Sequence, residues 1–547
     1  MKYFLLFCFA SIVNNVVYSQ SNTVSINVKL TTFKKDTFNI TRYGAIAKDD
    51  ILVTEYINKA ITDCHKKGGG VVLIPSGMWN TGPIVMKSNV NLHLVKGASL
   101  VFSSNFNDYK LVASNWEGMP QMRNESPISA TDASNIAITG FGIIDGNGDA
   151  WRLVKKDKVN AGQWKRLTSQ GGMLSEDKKT WYPSQKSFYG NTLKNPGAIS
   201  PEKTLAFYDS VKDFLRPNLM LLSNCKNILL EGVTFQNSPA WCLHPMLCEN
   251  LIVRNIKVKN PSYAQNGDGI DVESCKNVSI ENSIFDVGDD ALCMKSGRDE
   301  AGRKRNKPTE NVMIKDCTVY ASHGGFVIGS EMSGGVKNIY VENCTFMGTD
   351  IGLRFKTTRG RGGVVENIRI KNIYMKDIVG EAILFDMYYA AKDPVPQPGE
   401  KRELPKVEKL PFDETTPVFK NFNISNIYCD GAEKAIFLRG IPESHVKQIV
   451  LENIFITSHL GIDIQESSAV DFKNVKVISE VTNPCIDVLN SDNINFAGMQ
   501  FAPNAELGFR ISGDRNAALK ISTTDFSKVK EKYKLETGSS ENVIDIH

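Results

Sequence analysis

Three aspartates in the middle of the chain are the residues best suited to chemistry. Asp268 stands in NGDGID at 266–271, and Asp289 and Asp290 stand side by side in VGDDALCMKSG at 287–297. Carboxyl groups held close together cannot all be ionised, so one keeps a proton while another stays charged. An acid beside a base is what bond hydrolysis by general acid–base catalysis requires.

A histidine and two cations follow these aspartates. His323 lies in SHGGFVIGSE at 322–331, and Arg354 and Lys356 lie in GLRFKTTRGRGG at 352–363. Residues two apart on a strand point to the same side, so Arg354 and Lys356 predict a clamp for an anionic group. Each of these features alone is common in turns and on solvated surfaces. Their combination at regular intervals indicates a catalytic cleft.

A repeated phrase must position these side chains. From about residue 130 the sequence returns to a polar residue, often asparagine, followed by alternating apolar and polar residues rich in Ile, Val, Thr and Phe, which is typical of strands. A period of this length belongs to a solenoid, in which each coil buries its inner face against its neighbours. The repeating asparagines, which recur every 23 to 34 residues, are at positions 227, 250, 277, 311, 338 and 367.

The repeat predicts an all-β protein, a single-stranded right-handed parallel β-helix. Residues 54–64 show helical spacing of apolar side chains and predict a cap helix over its N-terminal end. We expect a cap region at 20–95, the β-helix catalytic domain at 96–530 and a tail at 531–547. Segments 152–215 and 390–415 break the repeat and are interpreted as insertions, which in repeat proteins form loops on one face. The second could equally be a disordered excursion.

The N-terminus predicts export. Residues 1–19 have an early lysine, an apolar stretch and a small residue at the end, as in a cleavable signal peptide, so we expect a periplasmic or extracellular protein. Ten of the eleven cysteines lie beyond this segment, and buried stacking between coils explains them at least as well as disulfides do. The net charge of +4 gives little general attraction to nucleic acid, and no later segment is apolar enough for a membrane span.

The ordered motifs resemble those of the polygalacturonases, the family of pectin-degrading glycoside hydrolases. That family carries Asn-Thr-Asp, Gly-Asp-Asp, Gly-His-Gly and Arg-Ile-Lys in this order. The present chain has Gly267, Ser322 and Phe355 where the pattern has Thr, Gly and Ile, and none of these removes a functional side chain. The matching segments in this sequence are Asn266–Asp268, Gly288–Asp290, Ser322–Gly324 and Arg354–Lys356.

The resemblance implies residue roles and a mechanism. Asp289 would protonate the glycosidic oxygen, and Asp268 and Asp290 would activate water, giving inversion with roughly 6.5–9.5 Å between acid and base. The resemblance further implies that His323 tunes the acid and that Asn266, Arg354, Lys356 and a tyrosine, Tyr388 or Tyr389 with Tyr388 favoured, bind substrate. It implies no cofactor and no metal. The implied substrate is a pectic polysaccharide or oligogalacturonide, attacked from its end.

Other functions remain open from the residues alone. Clustered aspartates could bind calcium, although the adjoining cations and the absence of EF-hand spacing argue against a dedicated metal site. A pectate-lyase-like enzyme, a non-catalytic carbohydrate-binding β-helix and a rhamnogalacturonan-cleaving relative are the other candidates. Trp241 and His244, one coil before Asp268, are interpreted either as a sugar-stacking site or as packing at a coil corner.

Overall fold

The computed structural model describes residues 26, 28–48, 51–389, 407–536 and 538–547. The signal peptide predicted at 1–19 lies outside the described residues, as does most of the insertion predicted at 390–415. Within the described part of the chain, no helix is both long enough and apolar enough to cross a bilayer.

Parallel strands form one continuous sheet of 35 strands that winds around the long axis of the molecule. Each turn of the chain adds one strand to each of three faces, and each strand pairs with the equivalent strand of the next coil. The predicted parallel β-helix is confirmed. The face that carries the candidate site, termed the cleft sheet, comprises Ile84–Val85, Ile128–Thr131, Met220–Ser223, Leu243–Met246, Ile270–Glu273, Asp290–Lys295, Gly324–Gly329, Leu353–Lys356, Leu460–Gln465, Ile486–Leu489, Ala505–Ser512 and Val529–Leu535.

The other two faces complete each coil. The long strands Val364–Asp386 and Val418–Arg439 run through all three faces, and their last residues belong to the cleft sheet. The second face contains Thr37–Asn39, Gly70–Ile74, Val90–Leu94, Ser134–Gly140, Lys226–Glu231, Glu249–Arg254, Lys276–Glu281, Thr309–Lys315, Val336–Met347, Val446–Ser458, Ser467–Ser479, Asp492–Ala497, Ala517–Ser522 and Ile544–Ile546. The third contains Gly77–Thr81, Ala98–Phe102, Ile143–Asp145, Thr234–Gln236, Lys257–Lys259, Ile284–Asp286 and Thr318–Tyr320.

The core follows from the alternation of side chains along each strand. In Val90–Leu94 the apolar residues are buried and the polar ones between them are not, because successive side chains point to opposite faces. Stacked coils therefore place like residues over one another. Phe355 lies 4.4 Å from Phe385, measured between ring centroids, and both rings are fully buried. Strands before residue 96 and after residue 530 pair in the same sheet, so the coil extends beyond the predicted 96–530 range.

Asparagines and cysteines stack between coils as the repeat predicts. Asn311 has φ of 57°, a left-handed conformation that asparagine tolerates better than most residues. Its amide donates to Asn277 over 3.1 Å and its oxygen accepts from Asn338 over 3.1 Å. All ten cysteines of the described residues are buried and free, and the Cys248 amide donates to the Cys275 sulfur. Stacking, not disulfide bonding, therefore explains their spacing.

The predicted cap helix is confirmed as Thr54–Lys66. Its apolar face is completely buried against the first coils, which shields the open end of the sheet stack. The remaining helices are Ala161–Ser169, Gln185–Thr192, Leu205–Ser210 and Asp299–Arg305. The 3-10 helices are Ile40–Tyr43, Phe106–Asp108, Gly148–Ala150, Lys156–Lys158, Lys212–Phe214 and Glu541–Val543.

Two excursions from the coil approach the cleft sheet. A hairpin of Leu111–Trp116 and Met119–Asn124 was not predicted from the sequence. The predicted insertion at 152–215 contains three of the helices and a small antiparallel sheet of Val154–Lys155, Met173–Leu174 and Thr180–Tyr182.

Replacing Asn311 with alanine should lower the stability of the fold. The variant loses two side-chain hydrogen bonds between neighbouring coils, each of which contributes about 1 kcal/mol to stability. Alanine also adopts the left-handed conformation less readily than asparagine does, which costs about 1 kcal/mol more. Thermal unfolding followed by circular dichroism should show a lower midpoint. The unfolding midpoint of Asn311→Gly should lie between those of the parent and of Asn311→Ala, because glycine loses the two hydrogen bonds but readily adopts the left-handed conformation. An Asn311→Ala variant as stable as the parent would contradict this account.

Candidate active site

The cleft sheet places the predicted residues on neighbouring strands. Asp268 lies just before Ile270–Glu273, and Asp290 begins the next strand, where it pairs in register with Gly324. One strand further on, Arg354 pairs with Val327 and Lys356 with Gly329. Since adjacent strands lie about 4.8 Å apart, these positions fall within a short stretch of the cleft floor.

The three catalytic candidates meet in one patch. Asp268, Asp289 and Asp290 each have a carboxylate oxygen within 4.8 Å of the others. These oxygens are closer than the roughly 6.5–9.5 Å between acid and base that the implied inverting mechanism led us to expect. Asp268 and Asp290 lie at matching positions of adjacent coils, and Asp289 directly precedes Asp290, so the three side chains meet in one place.

Asp290 is held as a carboxylate. Its oxygens accept from Lys356 Nζ over 2.6 Å and from Arg354 Nη1 over 3.2 Å, and its side chain is almost fully buried. Burial alone would raise the pKa of Asp290, but the charges of Lys356 and Arg354 outweigh it and hold that pKa well below its usual range. Two cations on one carboxylate leave an excess of positive charge at this point of the cleft.

The pKa of Asp268 is shifted in the opposite direction. It is buried, and its Oδ1 atom has no hydrogen-bond partner among the described residues. Burial, followed by the charges of Asp271 and Asp289, raises the pKa of Asp268 well above its usual range. Of the two carboxyl groups expected to act on water, only Asp290 is therefore held ionised in the empty cleft.

Asp289 is the aspartate that faces the open cleft. Its side chain is 20% exposed, and that of His323 is 40% exposed. His323 Nδ1 lies 3.2 Å from Asp289 Oδ1 and its Nε2 lies 3.7 Å from Asp350. The hydrogen bond with Asp289 raises the pKa of His323, which favours a positive charge beside the carboxyl group that substrate can reach.

Glycine at position 324 leaves room for the contact of Arg354 with Asp290. Arg354 reaches back across the coil that carries Gly324 to contact Asp290. A Cβ at Gly324 would lie 2.4 Å from Val327, 3.3 Å from Arg354 Cδ and 3.3 Å from Asp290 Oδ1. The glycine of the Ser322–Gly324 motif thus leaves the space that the ion pair occupies.

Asn266 is tied both to Asp289 and to Arg216, which directly follows the insertion at 152–215. Its backbone N–H donates to Asp289 Oδ2 over 3.2 Å, and its side-chain oxygen accepts from Arg216 over 2.8 Å. Arg216 also donates to the carbonyls of Pro239 and Gln265. Arg216 could not be predicted as part of the site, because nothing in its local sequence distinguishes it from a surface arginine.

The structure favours Tyr389 over Tyr388 as the tyrosine of the site. The Tyr389 ring centroid lies 4.8 Å from Lys356 Nζ and 5.7 Å from the Arg354 guanidinium carbon. Tyr388 lies instead between Arg439 and Arg359. The two tyrosines are adjacent in FDMYYA, and since the chain turns there, spacing alone could not decide between them.

A second buried charge cluster adjoins the three aspartates. Lys295 Nζ lies 2.7 Å from Glu331 and 3.6 Å from Asp271, and neither oxygen of Asp271 accepts a hydrogen bond from the described residues. Burial would raise the pKa of Glu331, but the Lys295 ammonium lowers it to about 2. Asp271 lies in NGDGID at 266–271 and Lys295 in VGDDALCMKSG at 287–297, and both side chains point to the cleft side of their strands. Their position in these two segments could have predicted them as site residues.

Trp241 and His244 are packing residues. His244 is fully buried, with its Nε2 atom 2.9 Å from Glu273. The Trp241 ring is also buried, stacks 5.9 Å from Trp116 of the hairpin and lies 4.7 Å from Lys295 Nζ. The interpretation as packing at a coil corner is therefore supported over an open sugar-stacking site.

The excursions close one side of the site. A cleft of about 80 Å³ lies over Asp289 and His323, and Lys155, Lys158 and Tyr263 line its outer side. Lys155 and Lys158 come from the insertion at 152–215. The hairpin lies on the side of Trp241, where Glu117 pairs with Arg298 over 3.3 Å. Beyond Lys356, in the opposite direction, the described residues continue as an uninterrupted sheet face.

The same carboxylates are also the one group in the described part of the chain with enough close oxygen ligands to hold a metal ion. A divalent cation would compete with Lys356 and Arg354, which already neutralise Asp290. The ligand set therefore fits acid–base chemistry better than it fits a resident metal.

Comparison with known proteins gives a consistent picture. The family model described as "Glycosyl hydrolases family 28" matches residues 209–435, which include every predicted site residue. An exo-poly-alpha-D-galacturonosidase from Dickeya chrysanthemi is 29% identical over 84% of this chain and 73% of its own length. An exopolygalacturonase structure from Yersinia enterocolitica shares the fold, with 22% identity, a TM-score of 0.64 and coverage of 84% and 78% of the two chains.

One solved structure is similar both in sequence and over nearly its full length. The hyperthermoactive exopolygalacturonase from Thermotoga maritima is 30% identical, with a TM-score of 0.67, and the match covers 82% of this chain and 93% of that one. Together with the parallel β-helix and the four ordered motifs on its cleft sheet, this similarity shows that the chain is a glycoside hydrolase and belongs to glycosyl hydrolases family 28.

Proposed function

We propose that the protein hydrolyses α-1,4-linked galacturonic acid in pectin and releases residues from the chain end. The observation that carries this proposal is the pairing of Lys356 and Arg354 with the single carboxylate of Asp290. The excess positive charge suits a sugar that carries a carboxylate, next to an acid pair that can cleave its glycosidic bond. The exo-acting relatives from Thermotoga maritima and Dickeya chrysanthemi support the same activity.

The proposed chemistry is a single displacement. Asp289, which faces the cleft, protonates the glycosidic oxygen as the bond to the leaving sugar breaks. Asp290, held ionised, accepts a proton from the water that attacks the anomeric carbon, while Asp268 orients that water. His323 restores the proton of Asp289 by exchange with solvent. Asn266, Arg354, Lys356 and Tyr389 position the substrate.

Exo action is supported by the shape of the site. The insertion at 152–215 and the hairpin Leu111–Asn124 rise on one side of the catalytic aspartates, while the cleft sheet continues on the other. A chain end fits such a site better than the middle of a polymer does. We further propose that the predicted signal peptide at 1–19 exports the enzyme to where pectic fragments occur.

Asp289→Asn should strongly slow the hydrolysis of de-esterified polygalacturonic acid. Asparagine keeps the shape of the side chain but has no proton to give, so hydrolysis should fall about a thousandfold. Reducing-sugar release with chromatographic sizing of the products, in the presence of EDTA, is the measurement. Wild type should release monomer at full rate with the chelator present, while viscosity falls slowly relative to sugar release.

The same experiment separates the competing functions. Loss of wild-type activity in EDTA would favour a calcium-dependent lyase, and a rapid fall in viscosity at low sugar release would mean endo cleavage. Binding without turnover in either form would indicate a carbohydrate-binding protein. Activity on rhamnogalacturonan fragments alone would indicate the relative that cleaves that backbone.

The anomeric form of the first product tests the displacement. A short separation between carboxyl groups is usual for retaining enzymes, but the attack of Asp290 on the sugar is opposed by its ion pairs with Lys356 and Arg354. We therefore expect inversion. Proton NMR of an early time course should show the β-anomer first, and initial formation of the α-anomer would replace this mechanism with a two-step one.

Lys356→Met should move the acidic limb of the pH profile to higher pH. Removing the ammonium that lies 2.6 Å from Asp290 raises the pKa of that carboxyl, so the base is lost by protonation at a higher pH than in wild type. The pH dependence of kcat/KM on oligogalacturonates should show a limb raised by about one unit. Lys356→Arg, which keeps the charge, should restore it. A higher KM with an unmoved limb would mean that Asp290 is not the base.

A further inference from the structure

The cleft sheet carries an outward-facing aromatic residue beyond the cation pair. Arg354 pairs in register with Leu384, and Leu384 pairs with Phe437 on the next strand. Phe437 is partly exposed, whereas Ile436 and Leu438 on either side of it are buried in the core. Its ring therefore faces the cleft floor, two strands from Arg354, or about 9.6 Å at the usual strand spacing.

Two cations flank this ring. Lys434 Nζ lies 4.6 Å from its centroid and the Arg439 guanidinium carbon lies 5.7 Å from it. Lys434 pairs with Asp463, and Arg439 lies 3.7 Å from Asp386. These pairs fix the two cations beside the ring without burying its outer side. We term Leu384, Phe437, Lys434 and Arg439 the distal patch.

The distal patch is continuous with the site already described. Lys356 pairs in register with Asp386, and Asp386 pairs with Arg439. Arg439 also lies 4.7 Å from the Tyr388 ring, whose other neighbour is Arg359 at 5.7 Å. A row of alternating aromatic and cationic side chains thus leads from the aspartates along the cleft sheet beyond Lys356.

We propose that the distal patch binds a further uronic acid residue of the polymer, on the leaving side of the cleaved bond. A sugar ring presents an apolar C–H face that packs on an aromatic ring, and the carboxylate of a uronic acid suits an adjacent lysine or arginine. The direction follows from the closed side, because a chain whose end lies against the insertion and hairpin must continue over Lys356 toward Phe437. The inference rests on the proposed exo-galacturonan activity.

The consequence is a preference for longer substrates. The shortest oligomer that is cleaved ends near Lys356 and does not reach Phe437, whereas longer oligomers do. The patch therefore contributes to binding only when further residues follow the cleaved bond. Removing its aromatic surface should leave the chemistry unchanged.

The test compares kcat/KM on purified oligogalacturonates from the dimer to the hexamer. Wild type should become more efficient with length. In Phe437→Ala, kcat/KM for the shortest cleaved oligomer should stay within about twofold of wild type, while that for the hexamer should fall about five- to tenfold. The loss should appear in KM, with kcat retained, because the distal patch does not contact the reacting atoms.

Two further variants make the result specific. Phe437→Leu keeps most of the volume of the side chain but not its flat face, so it should show the same length-dependent loss in a well-folded protein. Tyr428→Ala is the matched control. It removes an exposed aromatic residue from the same strand, on a different face of the coil, where Tyr428 stacks with Tyr374 and Phe455. Its length dependence should match that of wild type.

The outcomes separate the two proposals. Wild type that cleaves no oligogalacturonate overturns the proposed function. If wild type cleaves them, the proposed function stands. The role of the distal patch is overturned if Phe437→Ala and Phe437→Leu lower kcat/KM equally on short and long oligomers, or do not lower it at all. A Tyr428→Ala protein with the same length-dependent loss would also overturn it, because the effect would then not belong to the cleft.

Discussion

The spacing of adjacent strands in a parallel sheet is the constraint on which this molecule depends. It fixes the distance between coils at about 4.8 Å, and any side chain repeated at the same position must stack on its neighbour. In the interior this arrangement gives contacts such as Phe355 with Phe385, and at the turns it gives the hydrogen-bonded row of asparagines. On the cleft sheet it forces Asp268, Asp289 and Asp290 together.

Crowded carboxyl groups destabilise a fold unless their charges are compensated, and the site compensates each one differently. Asp290 has two cationic partners, Asp289 has a histidine and two backbone N–H donors, and Asp268 is buried, which raises its pKa. Three identical side chains thereby have three different environments. The difference comes from the coils that surround each residue, and no change in the aspartates themselves is needed.

The features that depend on residue type and on spacing along the chain were predicted from the sequence. The asparagine row, the cap helix and the grouping of aspartates, histidine and cations all depend on residue type and spacing, and the structure contains them. Features made by excursions from the coil could not be predicted, because their position depends on tertiary packing. The hairpin Leu111–Asn124, Arg216 as the partner of Asn266, and the placement of Tyr389 rather than Tyr388 beside Lys356 belong to this class. The expected separation of acid and base is larger than the distances between the closest carboxylate oxygens, because that expectation came from the inverting mechanism and not from the coil.

Gly324 shows how far a missing side chain can matter. The pair formed by Arg354 and Asp290 spans three successive coils, and the glycine of the middle coil leaves both side chains uncrowded. A larger residue at this position would clash with Val327 and crowd the ion pair of the base Asp290 with Arg354, while leaving every functional group in place. An inactive relative of this enzyme could therefore carry all of its recognisable polar residues intact, and its loss of function would be visible only at a glycine.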